Sequence, residues 1–183
     1  MGNSSSFEIS LKQIASKEEA RILVTGMNWA GKTTILYKLN IGEVIVTCPT
    51  IGLILESVRF RNLTFAIWDL GCSLGFKTLW KYFHTNIKGI IFVIDSNDRE
   101  RMDNLKWLLQ EMLFEEMLSQ LPILFFANKQ DLPNAISLNE ITEKLELFLI
   151  RGRIWRIQGC SAIRGDGLYE GIEWISHVLN FGS

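Results

Sequence analysis

The chain has 183 residues, 48% of them hydrophobic and only 3 of them proline, which suits one globular domain and excludes a mainly disordered or collagen-like polymer. Lys+Arg total 19 and Asp+Glu total 20, a net charge of −1, which argues against gripping nucleic acid by bulk positive charge. Cys48, Cys72 and Cys160 are odd in number and widely spaced, so neither a disulfide framework nor a zinc site is indicated, and a reducing intracellular compartment fits.

The first residues are Met1-Gly2-Asn3-Ser4-Ser5-Ser6, a pattern in which Gly2 becomes the N-terminus and accepts a myristoyl chain, with Ser6 at the favoured small-hydroxyl position. Phe7, Leu11 and Ile14 then recur at helical spacing, with Ile9 off that stripe, so residues 7–16 read as a short amphipathic helix. The same stretch also reads as a polar, frayed terminus that happens to begin Met-Gly. One acyl chain binds membranes only marginally, so the attachment expected here is reversible. No apolar run is long enough to span a bilayer, and a charged segment followed by an apolar signal core is lacking.

Residues 20–26 (ARILVTG) read as a buried strand running into Gly26-Met27-Asn28-Trp29-Ala30-Gly31-Lys32-Thr33 and a helix through Leu39. Residues 53–60 and 63–69 read as strands around a tight Arg61-Asn62 turn. Residues 89–95 (GIIFVID) and 123–127 (ILFFA) are continuous apolar runs of the buried parallel kind. Between them, residues 99–119 carry Met102, Leu105, Leu109, Met112, Leu113 and Met117 at three-to-four spacing, which predicts a core-facing helix. Ser137-Leu138-Asn139-Glu140 is a capping box opening a helix towards Phe148, residues 154–157 read as a strand, and residues 168–179 as a closing helix. Helices connecting largely parallel strands predict an open α/β sheet with helices on both faces.

Gly26-x-x-x-x-Gly31-Lys32-Thr33 is the strongest chemical signal. A nucleoside triphosphate needs convergent backbone N–H groups, a lysine at its β/γ oxygens and a hydroxyl on Mg²⁺, and this loop supplies all three between a strand and a helix. Asn128-Lys129-Gln130-Asp131 follows the 123–127 strand, where an open α/β sheet places its ligand crevice. An Asp carboxylate there accepts from the N1–H and exocyclic amine of guanine and rejects adenine, whose N1 is an acceptor and whose C2 carries no amine.

Over essentially its whole length the chain resembles the ADP-ribosylation factor (Arf) and Arf-like small GTPases. The resemblance rests on GKTTILYKL (Gly31 to Leu39), PTIG (Pro49 to Gly52), WDLG (Trp68 to Gly71), DSNDRER (Asp95 to Arg101), NKQDLP (Asn128 to Pro133) and GDGLYEG (Gly165 to Gly171). It implies the P-loop small G-protein fold, a mostly parallel six-stranded sheet with helices on both faces, as a domain of residues 18–183 behind a myristoylatable segment of residues 1–17. It implies GTP/GDP and Mg²⁺ as cofactors, with Asn28, Trp29, Ala30, Gly31, Lys32, Thr33 and Thr34 around the phosphates and Thr33 and Thr50 holding the metal. Asn128 and Asp131 would read guanine, Lys129 would lie along the base, and the Ala162 N–H after Ser161 would meet the base oxygen. Residues 41–52 would be switch 1, 53–68 the interswitch hairpin and 70–86 switch 2, together facing effector, exchange-factor or assembly proteins. In the family that hairpin slides to couple nucleotide exchange to release of the N-terminal helix onto membrane. The implied role is intracellular vesicle transport, from a cytoplasmic, peripheral position on the cytosolic face of internal membranes, with the Golgi as one candidate and without nucleic acid. The absence of a prenylation cysteine in the final Asn180-Phe181-Gly182-Ser183 suits Arf rather than Ras, Rho or Rab relatives.

The departures concern turnover. Switch 2 in the family usually reads Trp-Asp-Val-Gly-Gly-Gln; here Cys72 and Ser73 follow Gly71, so the glycine whose amide meets the γ-phosphate and the glutamine that orients the attacking water are both replaced. Very slow hydrolysis is expected, because this reaction is almost entirely positioning and charge stabilisation. Cys72 is expected to act as a small buried hydrophobe. Asn28-Trp29 replaces the usual Asp-Ala; Asn28 removes a carboxylate near the phosphates, and Trp29 is expected to pack over the nucleotide edge or a neighbouring helix. Leu53, Trp68 and Phe83 fall where the family has an aromatic-rich effector patch, while His84 and His177 lack acidic or cysteine companions at ligand spacing in the sequence and read as surface or packing residues. The readings left open are a cycling regulatory switch, a GTP-holding binding module or structural subunit, and a P-loop fold without nucleotide.

Overall fold

The computed structural model describes residues 20–39, 44–47, 55–60, 63–67 and 87–181. Gly2, the 7–16 segment, Cys48, Thr50, Leu53, Trp68, Gly71, Cys72, Ser73, Phe83 and His84 lie outside them.

In chain order the elements are β1 (Ala20–Gly26), α1 (Lys32–Lys38), β2 (Val44–Thr47), β3 (Leu55–Phe60), β4 (Leu63–Ile67), β5 (Ile87–Asp95), α2 (Met102–Leu113), β6 (Ile123–Asn128), α3 (Leu138–Lys144), β7 (Trp155–Gly159) and α4 (Leu168–Phe181). The strands form one sheet in the order β2-β3-β4-β1-β5-β6-β7. β4, β1, β5, β6 and β7 run parallel, and β2 and β3 continue the sheet antiparallel. The seventh strand is a correction to the six expected: β2 is a β-branched run, Val44-Ile45-Val46-Thr47, inside the segment assigned to switch 1, and it pairs with β3 as an edge.

The two sheet faces carry separate cores. Ile22, Val24, Ile91, Val93, Leu124 and Phe126 face Ile35 and Leu36 of α1 and Ile172 and Ile175 of α4. Leu23, Ile90, Phe92, Ile94, Ile123 and Phe125 face Met102, Leu105, Leu109 and Met112 of α2 and Ile141 of α3. Alternation along each strand thus divides its apolar run between two helical layers, which is why β5 and β6 are hydrophobic throughout. On the second face Phe92 meets Phe125 edge-on at 5.8 Å, and Phe125 meets Trp155 at 6.1 Å. Such contacts add roughly 0.5–1.5 kcal/mol each beyond area burial.

Two helices are shorter than expected. α2 begins at Met102 because Asp98 Oδ1 accepts from the Arg101 N–H at 3.2 Å and holds residues 98–101 in a turn. It ends at Leu113; Glu115 is extended, and the 3₁₀ turn Glu116–Leu118 returns Leu118 to the core. The Ser137 cap is as expected, its Oγ accepting from the Glu140 N–H at 3.2 Å. α3 stops at Lys144 because Glu146 adopts a left-handed conformation, φ +54°, before the 3₁₀ turn Leu147–Leu149.

Candidate nucleotide site

Because β1, β5, β6 and β7 are parallel, the loops that follow them gather at the C-terminal edge of the sheet. The first is the glycine loop between β1 and α1. Gly26 (φ +137°) leaves no room for a side chain, since a Cβ would stand 2.2 Å from the Val93 carbonyl oxygen. Gly31 (φ +93°) has the same restriction, with a Cβ only 2.4 Å from Asn128 Nδ2. Lys32, 5% exposed, folds back over the loop, and its Nζ donates to the Gly26 carbonyl at 3.1 Å and the Met27 carbonyl at 2.9 Å. These two bonds hold the ammonium over the glycine loop, where a phosphate would arrive. Gly31 gives α1 no side-chain cap and the first turn has no acid, so no carboxylate of that turn opposes an anion. Thr33 is half-buried and Thr34 exposed in that turn.

The second loop follows β6. Asn128 is 1% exposed, and its Nδ2 donates to the Ala30 carbonyl at 2.8 Å. Its Oδ1 accepts from the Ala162 N–H at 2.9 Å, so one amide fastens the glycine loop to the loop after β7. The second N–H of Asn128 Nδ2 is the group left for a purine nitrogen. The Ala162 N–H is spent on Asn128 here, so the base oxygen expected on it must share that donor. Lys129, in a left-handed conformation at φ +68°, pairs with Asp95 Oδ2, while Asp95 Oδ1 accepts from the Asn97 N–H at 2.9 Å. Gln130 completes the fastening: its N–H donates to the Cys160 carbonyl at 3.0 Å, and its Nε2 to Ser96 Oγ at 2.9 Å and the Ile136 carbonyl at 3.1 Å.

The third loop carries Cys160, Ser161 and Ala162, all buried. The Ser161 carbonyl and Oγ accept from the Gly165 and Arg164 N–H groups at 2.7 and 3.1 Å, which closes the loop on itself. Burial first, and the charge of Asp131 second, push the Cys160 thiol up to about 12.

The glycine loop also positions Trp29 and Asn28, its two departures from the family pattern. Trp29 is 83% exposed at φ +71°, and no helix among the described residues covers it, which leaves the nucleotide edge as the other place expected for it. Asn28 Oδ1 is buried without a hydrogen-bond partner, while the Asn28 carbonyl accepts from Arg101 at 3.4 Å. Phosphate oxygens bring only acceptors; the Asn28 amide turned over presents Nδ2 there, a donor that fits them. Asp95, Ser96, Gln130 and Arg101 were absent from the residues chosen by chemistry, although DSNDRER and NKQDLP contain all four. A cleft of about 740 Å³ lined by Asp95, Asn97, Asp98, Arg99, Glu100 and Pro133, among others, lies beside these loops and shares Asp95 and Asn97 with them.

Residues 7–179 match the ADP-ribosylation factor family. The chain belongs to that family. It is accordingly an Arf-type small GTP-binding regulatory protein with the P-loop small-GTPase fold, and GTP and GDP are the nucleotides its family binds. Among the described residues no helix is long and apolar enough to cross a membrane, and no group of three His, Cys, Asp or Glu side chains is placed to hold a metal ion.

Proposed function

We propose that this Arf-family protein is a GTP switch of very slow turnover, attached reversibly to internal membranes through a myristoylated Gly2 and acting in vesicle transport. The observation that carries the nucleotide reading is Asn128, whose amide joins the Ala30 carbonyl to the Ala162 N–H and so holds the phosphate and base loops in one frame. In that frame Lys32, Ala30, Gly31, Thr33 and Thr34 hold the phosphates, with Asn28 and Trp29 at their edge and Gly71 and Cys72 at the γ-phosphate. Asn128 and Asp131 read the base, Lys129 lies along it, and Ser161-Ala162 closes its far side. Mg²⁺ on the Thr33 and Thr50 hydroxyls would supply charge neutralisation at the β- and γ-oxygens.

Slow turnover follows from Cys72 and Ser73. Loss of one positioning group commonly costs on the order of 10²-fold, about 2.7 kcal/mol of barrier. Cys72 also restricts the backbone freedom that glycine would bring to the γ-phosphate amide. These two residues favour a second reading as well, in which GTP is held permanently and the protein serves as a binding module or structural subunit with nucleotide stabilising the fold.

The test is to denature freshly purified protein, identify the released nucleotide by chromatography, and follow single-turnover hydrolysis of bound GTP. Recovered GTP with slow turnover supports the proposal. Recovered ATP, or no nucleotide at any Mg²⁺ concentration, overturns the guanine assignment, and GDP alone with turnover like that of ordinary Arf proteins overturns the slow-turnover claim. A mass spectrum without the acyl increment after coexpression with a myristoyltransferase removes Gly2 as the anchor.

A further inference from the structure

The sheet register puts two features of this chain at the same end of the molecule. Leu23 pairs with Ile90, Ile90 with Ile123, and Ile123 with Trp155, forming one row across four parallel strands. Ala20, where residues 1–19 join the sheet, lies three residues before that row on β1, and Ile154 lies one residue before it on β7. β1 and β7 are three strand spacings apart, about 14 Å. The loop before β7 therefore lies at the Ala20 end of the sheet, the end of the strands away from the nucleotide loops.

That loop has an unusual composition. From residue 147 to residue 165 there are four arginines and no Asp or Glu, in a chain whose net charge is −1. Phe148, Leu149 and Ile154 are 49%, 58% and 59% exposed, and Arg151 and Arg156 are exposed beside them. Arg151 Nη1 donates to the Phe148 carbonyl at 2.6 Å, which folds the loop tightly and leaves the apolar side chains outward. Arg153 is half-buried, with one guanidinium nitrogen out of water and without a hydrogen-bond partner. Arg21 and Lys88 add exposed cations near the starts of β1 and β5. The nearby acids are Glu146, already paired with Lys106 at 2.8 Å, and Glu115 and Glu116 ahead of β6.

We propose that residues 148–156 form a second membrane contact, selective for anionic headgroups, with Phe148, Leu149 and Ile154 entering the interface and Arg151, Arg153 and Arg156 meeting lipid phosphates. The proposal rests on the peripheral-membrane reading of Gly2 above. Exposed aliphatic and aromatic side chains rimmed by arginine match the layered chemistry of a bilayer surface, where the guanidinium stems lie along apolar ground and their heads stay at the phosphates. One acyl chain needs a second signal for stable binding, and each basic residue near an anionic surface strengthens binding about fivefold. A loop about 14 Å across the sheet from the strand that follows the Gly2-bearing segment would engage the same leaflet at high effective concentration.

The test uses the full myristoylated chain loaded with GTP and sedimented with vesicles of phosphatidylcholine alone or with 30% phosphatidylserine. Arg151→Gln with Arg156→Gln is expected to lose roughly 25-fold on the anionic vesicles and little on the neutral ones. Phe148→Ser with Leu149→Ser is expected to weaken binding to both, with nucleotide release rates unchanged in either variant. Hydrogen exchange on the unmodified sequence gives a readout free of folding defects: anionic vesicles are expected to slow exchange at residues 147–156. Unchanged sedimentation of both variants, or exchange in that loop indifferent to vesicles, overturns the loop contact while leaving Gly2 anchoring intact. If the myristoylated wild type binds neither vesicle, the membrane reading itself falls and the loop proposal with it. A dimer in light scattering that Phe148→Ser with Leu149→Ser dissolves assigns the loop to a second copy of the chain and overturns it too.

Discussion

Asn128 Nδ2 donates to the Ala30 carbonyl at 2.8 Å across 98 residues of sequence, and no other side-chain contact ties the strand β6 loop to the glycine loop as directly among the described residues. Asn128→Ala would strand the Ala30 carbonyl and the Ala162 N–H inside the protein. The expected cost is about 2–4 kcal/mol of stability, from two buried polar groups left unpaired. Urea unfolding at fixed nucleotide concentration measures it, and faster nucleotide release should accompany it. Equal stability of Asn128→Ala and wild type would show that the three loops hold together without this amide.

Asp131→Asn is expected to change the base that is accepted. Guanine offers donors at N1 and at its exocyclic amine, and a carboxylate accepts from both. The Asn amide offers one acceptor and one donor, which suits xanthine, whose C2 bears an oxygen. Guanine nucleotide affinity should fall by roughly 10²-fold or more while xanthine nucleotide affinity rises. Competition binding with the two nucleotides reads both changes, and unaltered preference would place the base elsewhere.

The two switch 2 departures predict a gain on reversal. Cys72→Gly combined with Ser73→Gln is expected to raise single-turnover GTP hydrolysis on the order of 10²-fold, since the pair restores a flexible amide and a water-orienting side chain. No rise would mean that turnover is limited outside switch 2.

Cys160 predicts an alkaline limit to stability. Its folded pKa is raised from 9.0 to about 12, so between those values the folded protein holds a proton that the unfolded chain has lost. Stability from this group is fully present below pH 9 and drains away as pH climbs towards 12, by about 1.4 kcal/mol between pH 8 and pH 10. Other groups titrate in that window, so the comparison is with Cys160→Ala, whose stability should depend less steeply on pH. Identical pH profiles for the two proteins would show that the Cys160 proton plays no part.

Much of this was legible because the signals were local. Ser137 three residues ahead of Glu140 announced a cap, and Gly26 and Gly31 announced the loop between β1 and α1, since the physics of each acts over a few residues. β2 escaped notice because Val44 to Thr47 is only 4 residues long and gains its hydrogen bonds from β3 across the sheet. At Trp29 general hydrophobicity favours cover, whereas its left-handed backbone leaves it 83% exposed among the described residues, open to a nucleotide edge. The fastening by Ser96, Gln130 and Asp95 was unreadable for a related reason. The bonds from Lys129 to Asp95 and from Gln130 to Ser96 each span 34 residues, so composition carried no trace of them, and only the length of the DSNDRER motif hinted that those positions were constrained.

The seven residues of β1 also set a distance. At about 3.3 Å per residue, Gly26 stands roughly 20 Å from Ala20. If the end near Ala20 rests on lipid, the nucleotide is carried one strand length above the headgroups, facing the aqueous phase. Soluble proteins then reach the phosphates and the base without competing with the membrane for the same surface, and the sheet serves as a pedestal between a lipid foot and a nucleotide head.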